Sequence, residues 1–118
     1  MNISTLTSIF LQASTAVHFF HINCTDYMLH TYLKDVYEDF ADFADELGEA
    51  QIGLSSQPID YVKLDDITIT SKDNVISLLD NLRSYCNDMK SEDRCINAIL
   101  DNISVKLNQH LSMAYRIK

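Results

Sequence analysis

Between Asp26 and Gly48 the chain runs without a proline or a glycine, and its apolar residues return at helical spacing. Leu29, Leu33, Val36, Phe40, Phe43 and Leu47 form one stripe on a helical wheel. With Thr25 or Asp26 as N-cap and Gly53 as its end, the segment reads as a helix over residues 26–52, about 40 Å long at 1.5 Å per residue. A chain of 118 residues built around such a rod makes one domain. Two glycines and one proline are too few for the turns of a β-sandwich or barrel. The fold class is all-α.

Three further segments keep the helical period. Leu6, Ile9, Phe10, Ala13, Val17 and Phe20 mark a helix over residues 3–22. Val75, Ile76, Leu78, Leu79, Leu82 and Tyr85 mark one over 73–90. Ile96, Ile99, Leu100, Ile103, Leu107, Leu111 and Ala114 mark a fourth over 92–116, with Ser91, Glu92 and Asp93 as an acidic start and Arg116 at the end where the helix dipole favours a cation. Between the second and third, residues 54–71 break the pattern. Ser55, Ser56 and Pro58 are loop chemistry, and Tyr61–Leu64 and Ile67–Thr70 have strand-like composition. Extended backbone covers more than about 3 Å per residue, so this stretch is long enough to return the chain along the bundle. Helix, short turn, helix, long crossover, helix, short turn, helix is the ferritin-like connectivity of a single four-helix domain.

Charge and cysteine content exclude several roles. Nine Lys plus Arg against seventeen Asp plus Glu give −8 at neutral pH, without any Lys/Arg-rich run, so DNA binding is not expected. Cys24, Cys86 and Cys95 form no CxxC pair, as expected of reduced thiols acting as small buried hydrophobes. The N-terminus lacks a basic stretch, and Gln12, Ser14 and Thr15 interrupt its apolar run, so neither a signal peptide nor a membrane span is expected. No Gly-x-Ser-x-Gly motif and no recognisable Cys/His site supports nucleophilic catalysis.

The second helix carries another stripe: His30, Lys34, Tyr37, Ala41, Asp45, Gly48, Glu49 and Ile52. Tyr37, Ala41, Gly48 and Ile52 are too apolar or too small for a solvated face, and imply a second packing surface. A homodimer is the simplest account, and coverage by the crossover of the same chain is the alternative. Near that face stand His18 and His21, one turn apart, and His30. Asp45 and Glu49 are four residues apart, so their carboxylates share a face. Imidazole nitrogen with carboxylate oxygen suits iron or zinc. His110, alone on the fourth helix, reads as structural.

The stretch from His18 to Gly53 resembles the Dps-like mini-ferritins, and small ferritin-like proteins encoded by bacteriophages. It carries His18-Phe19-Phe20-His21, Tyr27-Met28-Leu29-His30, Val36-Tyr37, Phe40 and Asp45-Glu46-Leu47-Gly48-Glu49. His18 and His30 have the spacing of that family's ferroxidase histidines, and Asp45 and Glu49 that of its acidic pair, with the interval between the pairs also in register. The resemblance implies an iron site of His18, His30, Asp45 and Glu49, with Asp35 next to the position of a further ligand; it does not account for His21, which reads either as an additional ligand or as a capping or interface histidine. It implies one or two iron ions (Fe2+/Fe3+) per site, or zinc in their place. In that family the histidines come from one subunit and the acids from its two-fold partner, within a shell of twelve that oxidises Fe(II) with oxygen or peroxide. The expected partners are therefore copies of the chain itself, a dimer at least and a dodecamer at most, in the cytoplasm of a bacterial cell or phage-infected host. Lys34 stands where the family usually has Asp, which implies a single-metal or weakened site, and Phe19 stands where it usually has Trp, which implies the loss of a redox-active indole. The Glu-x-x-His motif of the larger ferritins is missing. The competing expectation is a catalytically silent helical protein on the same scaffold, acting on a protein partner through its acidic surface.

Overall fold

Each of the four helices starts on a short polar side chain that accepts a backbone N–H three residues on. Asn2 caps α1 (Ile3–Asn23) through Thr5 N at 2.8 Å, and Asp26 caps α2 (Tyr27–Ser55) through Leu29 N at 2.8 Å. Ser71 caps α3 (Lys72–Asp88) through Asn74 N, and Asp93 caps α4 (Arg94–Arg116) through Ile96 N at 2.9 Å. The structure, a computed structural model, describes every residue except Lys90 and Lys118. The expected end of the third helix at residue 90 lies outside the described residues; the helix runs to Asp88, with Met89 as its C-cap.

The end of α2 and the start of α4, at Arg94 rather than residue 92, differ from the sequence reading. α2 passes through Gly53 and ends only at Ser56, whose left-handed backbone (φ 56°) closes the last turn by donating its N–H to Ile52 O. The strand-like runs of the crossover pair with no strand. Instead α1 holds them with side chains one turn apart. Ser4 Oγ accepts from Asp60 N, Ser8 Oγ accepts from Val62 N at 2.9 Å, and Gln12 both accepts from Leu64 N and donates to Val62 O. The alternation of the segment then turns Ile59, Val62, Leu64, Ile67 and Ile69 inward and leaves Asp60, Lys63, Asp66 and Thr68 in water.

α1 packs on α2, α3 on α4, α2 on α4 and, more sparsely, α1 on α3. Residues pair in antiparallel register along α2 and α4: Tyr32 and Asp39 meet His110, and Phe43 meets Lys106. With the crossover returning along α1, spatial neighbours are antiparallel throughout, the arrangement expected from the connectivity. α2, at 29 residues, spans the 44 Å length of the molecule. Phe10, Phe40 and Phe43 sit at the centre with rings 5.4–6.4 Å apart, and Leu6, Leu33, Leu47, Leu79, Leu82, Ile96, Ile103 and Leu107 fill the space around them. α1 is long and apolar enough to cross a membrane by length and composition alone. Here its apolar side supplies Leu6, Phe10, Ala13 and Val17 to the core, and its polar side holds the crossover. Of the cysteines, Cys86 is buried and Cys24 half-buried. Cys95 is exposed on the first turn of α4, contrary to its expected burial.

Candidate functional site

The turn between α1 and α2 is three residues long, so the last two turns of α1 lie against the first three of α2. This brings His18 and His21, on one face of α1, beside His30 and Tyr37, two turns apart on α2. The four rings form a row. His18 stacks flat on Tyr37, with centroids 4.0 Å apart and planes 5° from parallel; His21 meets the edge of Tyr37 and stacks on His30 at 3.7 Å.

His21 and His30 also exchange hydrogen bonds. Nδ1 of His21 lies 2.7 Å from the carbonyl oxygen of His30, and Nδ1 of His30 lies 2.8 Å from that of His21. A carbonyl only accepts, so each Nδ1 carries the proton, and each neutral ring keeps its lone pair on Nε2. The His21 carbonyl belongs to the last turn of α1 and also accepts Cys24 N–H. An imidazole donor there satisfies a helix-end carbonyl and lies at the negative end of the dipole. Carbonyl-anchored Nδ1–H with free Nε2 is the usual outer-shell arrangement of a metal-binding histidine. Stacked rings, however, direct their in-plane lone pairs side by side rather than at one point. A single ion is therefore not chelated by His21 and His30 together in this arrangement.

The carboxylates expected with these histidines lie elsewhere. Asp45 and Glu49 are exposed on the outer face of α2 and pair with no side chain among the described residues. Asp45 follows His30 by fifteen residues, about 22 Å along the axis at 1.5 Å per residue. Among the described residues no three His, Cys, Asp or Glu side chains form a metal-sized group. Asp35 sits on the other side of α2, bordering a groove toward α4 rather than the ring row. Lys34 is exposed and reaches Glu38 at 3.9 Å, a solvated i,i+4 pair.

No protein family, no curated protein and no solved structure matches this chain. Of the residues expected to form a second packing surface, two are engaged inside the chain. Gly48 is buried, and a Cβ there would come within 3.1 Å of Ile59 Cδ1 on the crossover and 3.4 Å of Thr7 Cγ2 on α1. Tyr37 is half-buried under His18, with its carbonyl held by Ser14 Oγ at 2.7 Å. The close approach read at Gly48 is thus made by α1 and the crossover. Ala41 stays half-buried and Ile52 exposed, next to Asp45 and Glu49.

A second polar pair escaped the sequence reading. His110 is buried against α2, with Nε2 2.6 Å from Asp39 Oδ2, and Tyr32 donates its hydroxyl to the His110 carbonyl at 2.8 Å. Burial pushes the Tyr32 phenol well above its ordinary pKa, so it remains a donor. The signal was present in part: Asp39 lies on the edge of the α2 stripe, and His110 keeps the core spacing of α4. Only the antiparallel register of α2 and α4 shows that they meet.

Proposed function

We propose that this chain is a Dps-like, ferritin-like iron-binding protein, taking Fe(II) as substrate at a site that two copies complete. The observation that carries the reading is the ring row: His18 and His30 stand on one seam, and the Nδ1–H of His30 is anchored so that Nε2 remains for a metal. In such a dimer two α2 helices pack antiparallel about an axis near residues 38–39. That pairing carries His18 and His30 of one copy toward Asp45 and Glu49 of the other, along the exposed strip with Ala41 and Ile52. The imidazoles suit iron at either charge, and the two carboxylates offset the added positive charge when each Fe(II) gives one electron to oxygen or peroxide. Zinc would take the same ligands without the oxidation. Lys34 reaches toward Glu38 at 3.9 Å, so its charge on this face is partly offset within α2.

The test is anaerobic Fe(II) titration of the wild type and an Asp45→Asn/Glu49→Gln double variant, with native mass recorded for both. Saturable binding by a wild-type dimer or larger assembly, lost in the variant, supports the site. Equal binding by the two, or a wild type that stays monomeric with iron bound, overturns it.

One observation favours a second reading. Phe19, Ile22, Tyr27 and Met28 are largely exposed around the α1–α2 turn, and apolar side chains grouped at one end of a molecule commonly mark a protein-binding surface. In that case the chain acts through a protein partner. A wild type that binds no Fe(II) is then the expected result.

A further inference from the structure

We propose that the groove between the N-terminal part of α2 and the C-terminal part of α4 binds a small amphiphilic amine, whose ammonium group bonds His110 and pairs with Asp35. The groove is independent of the iron-binding reading, since it opens on the α4 side of α2, away from His18, His30 and the seam with α1.

Its volume is about 320 Å³, at the lower end of the range for small-molecule sites. Met28, Met113 and Ile117 form an apolar wall, and Tyr27 and Tyr32 contribute aromatic rings. His110 borders the groove while only 9% exposed. Its Nε2–H is donated to Asp39 at 2.6 Å, which leaves Nδ1 as the ring's other polar atom, without a partner among the described residues. His110 is not sealed in the core: its side chain stays 11% accessible, and the groove is the space that it borders.

The chemistry selects the ligand. With the Nε2 proton given to Asp39, the uncharged form of His110 has Nδ1 as an acceptor; Asp35 adds a carboxylate at the rim and Asp39 stands behind the imidazole, so the polar end of the groove is rich in acceptors. A carboxylate ligand would meet two aspartates there. An ammonium group meets an acceptor, an anion and the faces of tyrosines, which favour cations. The methionines adapt to the shape of the apolar body. Two of the nearby hydroxyls are engaged, Thr31 Oγ1 donating to Tyr27 O and Tyr32 to His110 O, and the inference is of binding alone.

The experiment is a titration of the full-length protein with 2-phenylethylamine and with n-hexylamine, followed by backbone NMR shifts. 3-Phenylpropionate serves as a probe of similar shape and opposite charge. Saturable shifts confined to residues 27–39 and 106–117 are expected for an amine. Affinity should fall at least about tenfold for 3-phenylpropionate, for Asp35→Asn and for His110→Phe, because each loses a charge-assisted contact. Asp35 is exposed, so its variant keeps the test intact if His110→Phe does not fold. Absence of saturable binding by both amines, equal binding of 3-phenylpropionate, or an unchanged affinity in Asp35→Asn overturns the proposal.

Discussion

Thr7 is buried on α1 with its hydroxyl unpartnered among the described residues, and its methyl lies 3.4 Å from where a Cβ on Gly48 would stand. A hydroxyl without a partner loses its hydration on folding and recovers nothing, whereas a methyl of the same shape is neutral or better there. Thr7→Val should therefore stabilise the protein by about 0.5–1 kcal/mol, read as a higher urea midpoint at unchanged slope. A lower midpoint would mean that the hydroxyl has a partner in solution. The contrast with Ser8, one residue on, is instructive. Its hydroxyl donates to Ser4 O and accepts from Val62 N, so the same kind of side chain is fully used. The sequence presents both as small polar residues on an apolar helix. The difference arises from which of them the crossover passes over.

At the scale of the element, α2 shows how far local chemistry reaches. Its start and core stripe are legible because helix periodicity and capping are local properties. Its end was misplaced because Gly53, which could close a helix, keeps an ordinary negative φ, and Ser56 takes the left-handed turn instead. Among the described residues, nothing beyond the helix's own neighbouring backbone lies within 4 Å of a Cβ at Gly53. Gly53→Ala should stabilise by about 0.5–1 kcal/mol, since alanine limits the unfolded chain and the helix already accommodates it. Gly48→Ala carries the same helix gain but must displace Ile59 Cδ1, 3.1 Å from the new methyl, and so should gain less or lose. Urea midpoints of the two variants check the order. A larger gain at position 48 would mean that the crossover does not press on α2 there.

The whole molecule couples these elements through burial, and one buried group makes that coupling measurable. Burial pushes the Cys86 thiol up to about 12 from an ordinary 9.0. Below pH 9 both folded and unfolded chains keep this proton, so the group adds no pH dependence. Between pH 9 and 12 the unfolded chain loses it while the folded chain retains it. The unfolded state then binds fewer protons, and stability falls as pH rises, by at most about 1.4 kcal/mol per pH unit from this group. Tyr32, also raised by burial, acts in the same direction at higher pH. Cys86→Ala should start less stable at pH 8 and lose less between pH 9 and 10.5, as measured by urea unfolding at each pH. Parallel losses in the two proteins would show that the thiol titrates normally in the folded chain.

Helix number, approximate span and the core stripes of Phe40, Phe43, Leu79 and Leu107 were determined by the sequence alone, because each depends on residues within a few turns of one another. The candidate histidines were legible as residue types at a spacing, but their relation was not. That His21 and His30 exchange hydrogen bonds follows from the angle at which α1 and α2 meet across a three-residue turn. That Gly48 serves Ile59 depends on the path of a crossover held through Ser4, Ser8 and Gln12, more than forty residues away along the chain. That Asp39 meets His110 depends on the register of two helices distant in sequence. Local energetics are written into neighbouring residues. Contacts between remote residues exist only once the burial of every helix has chosen one packing, and tertiary structure alone decides those.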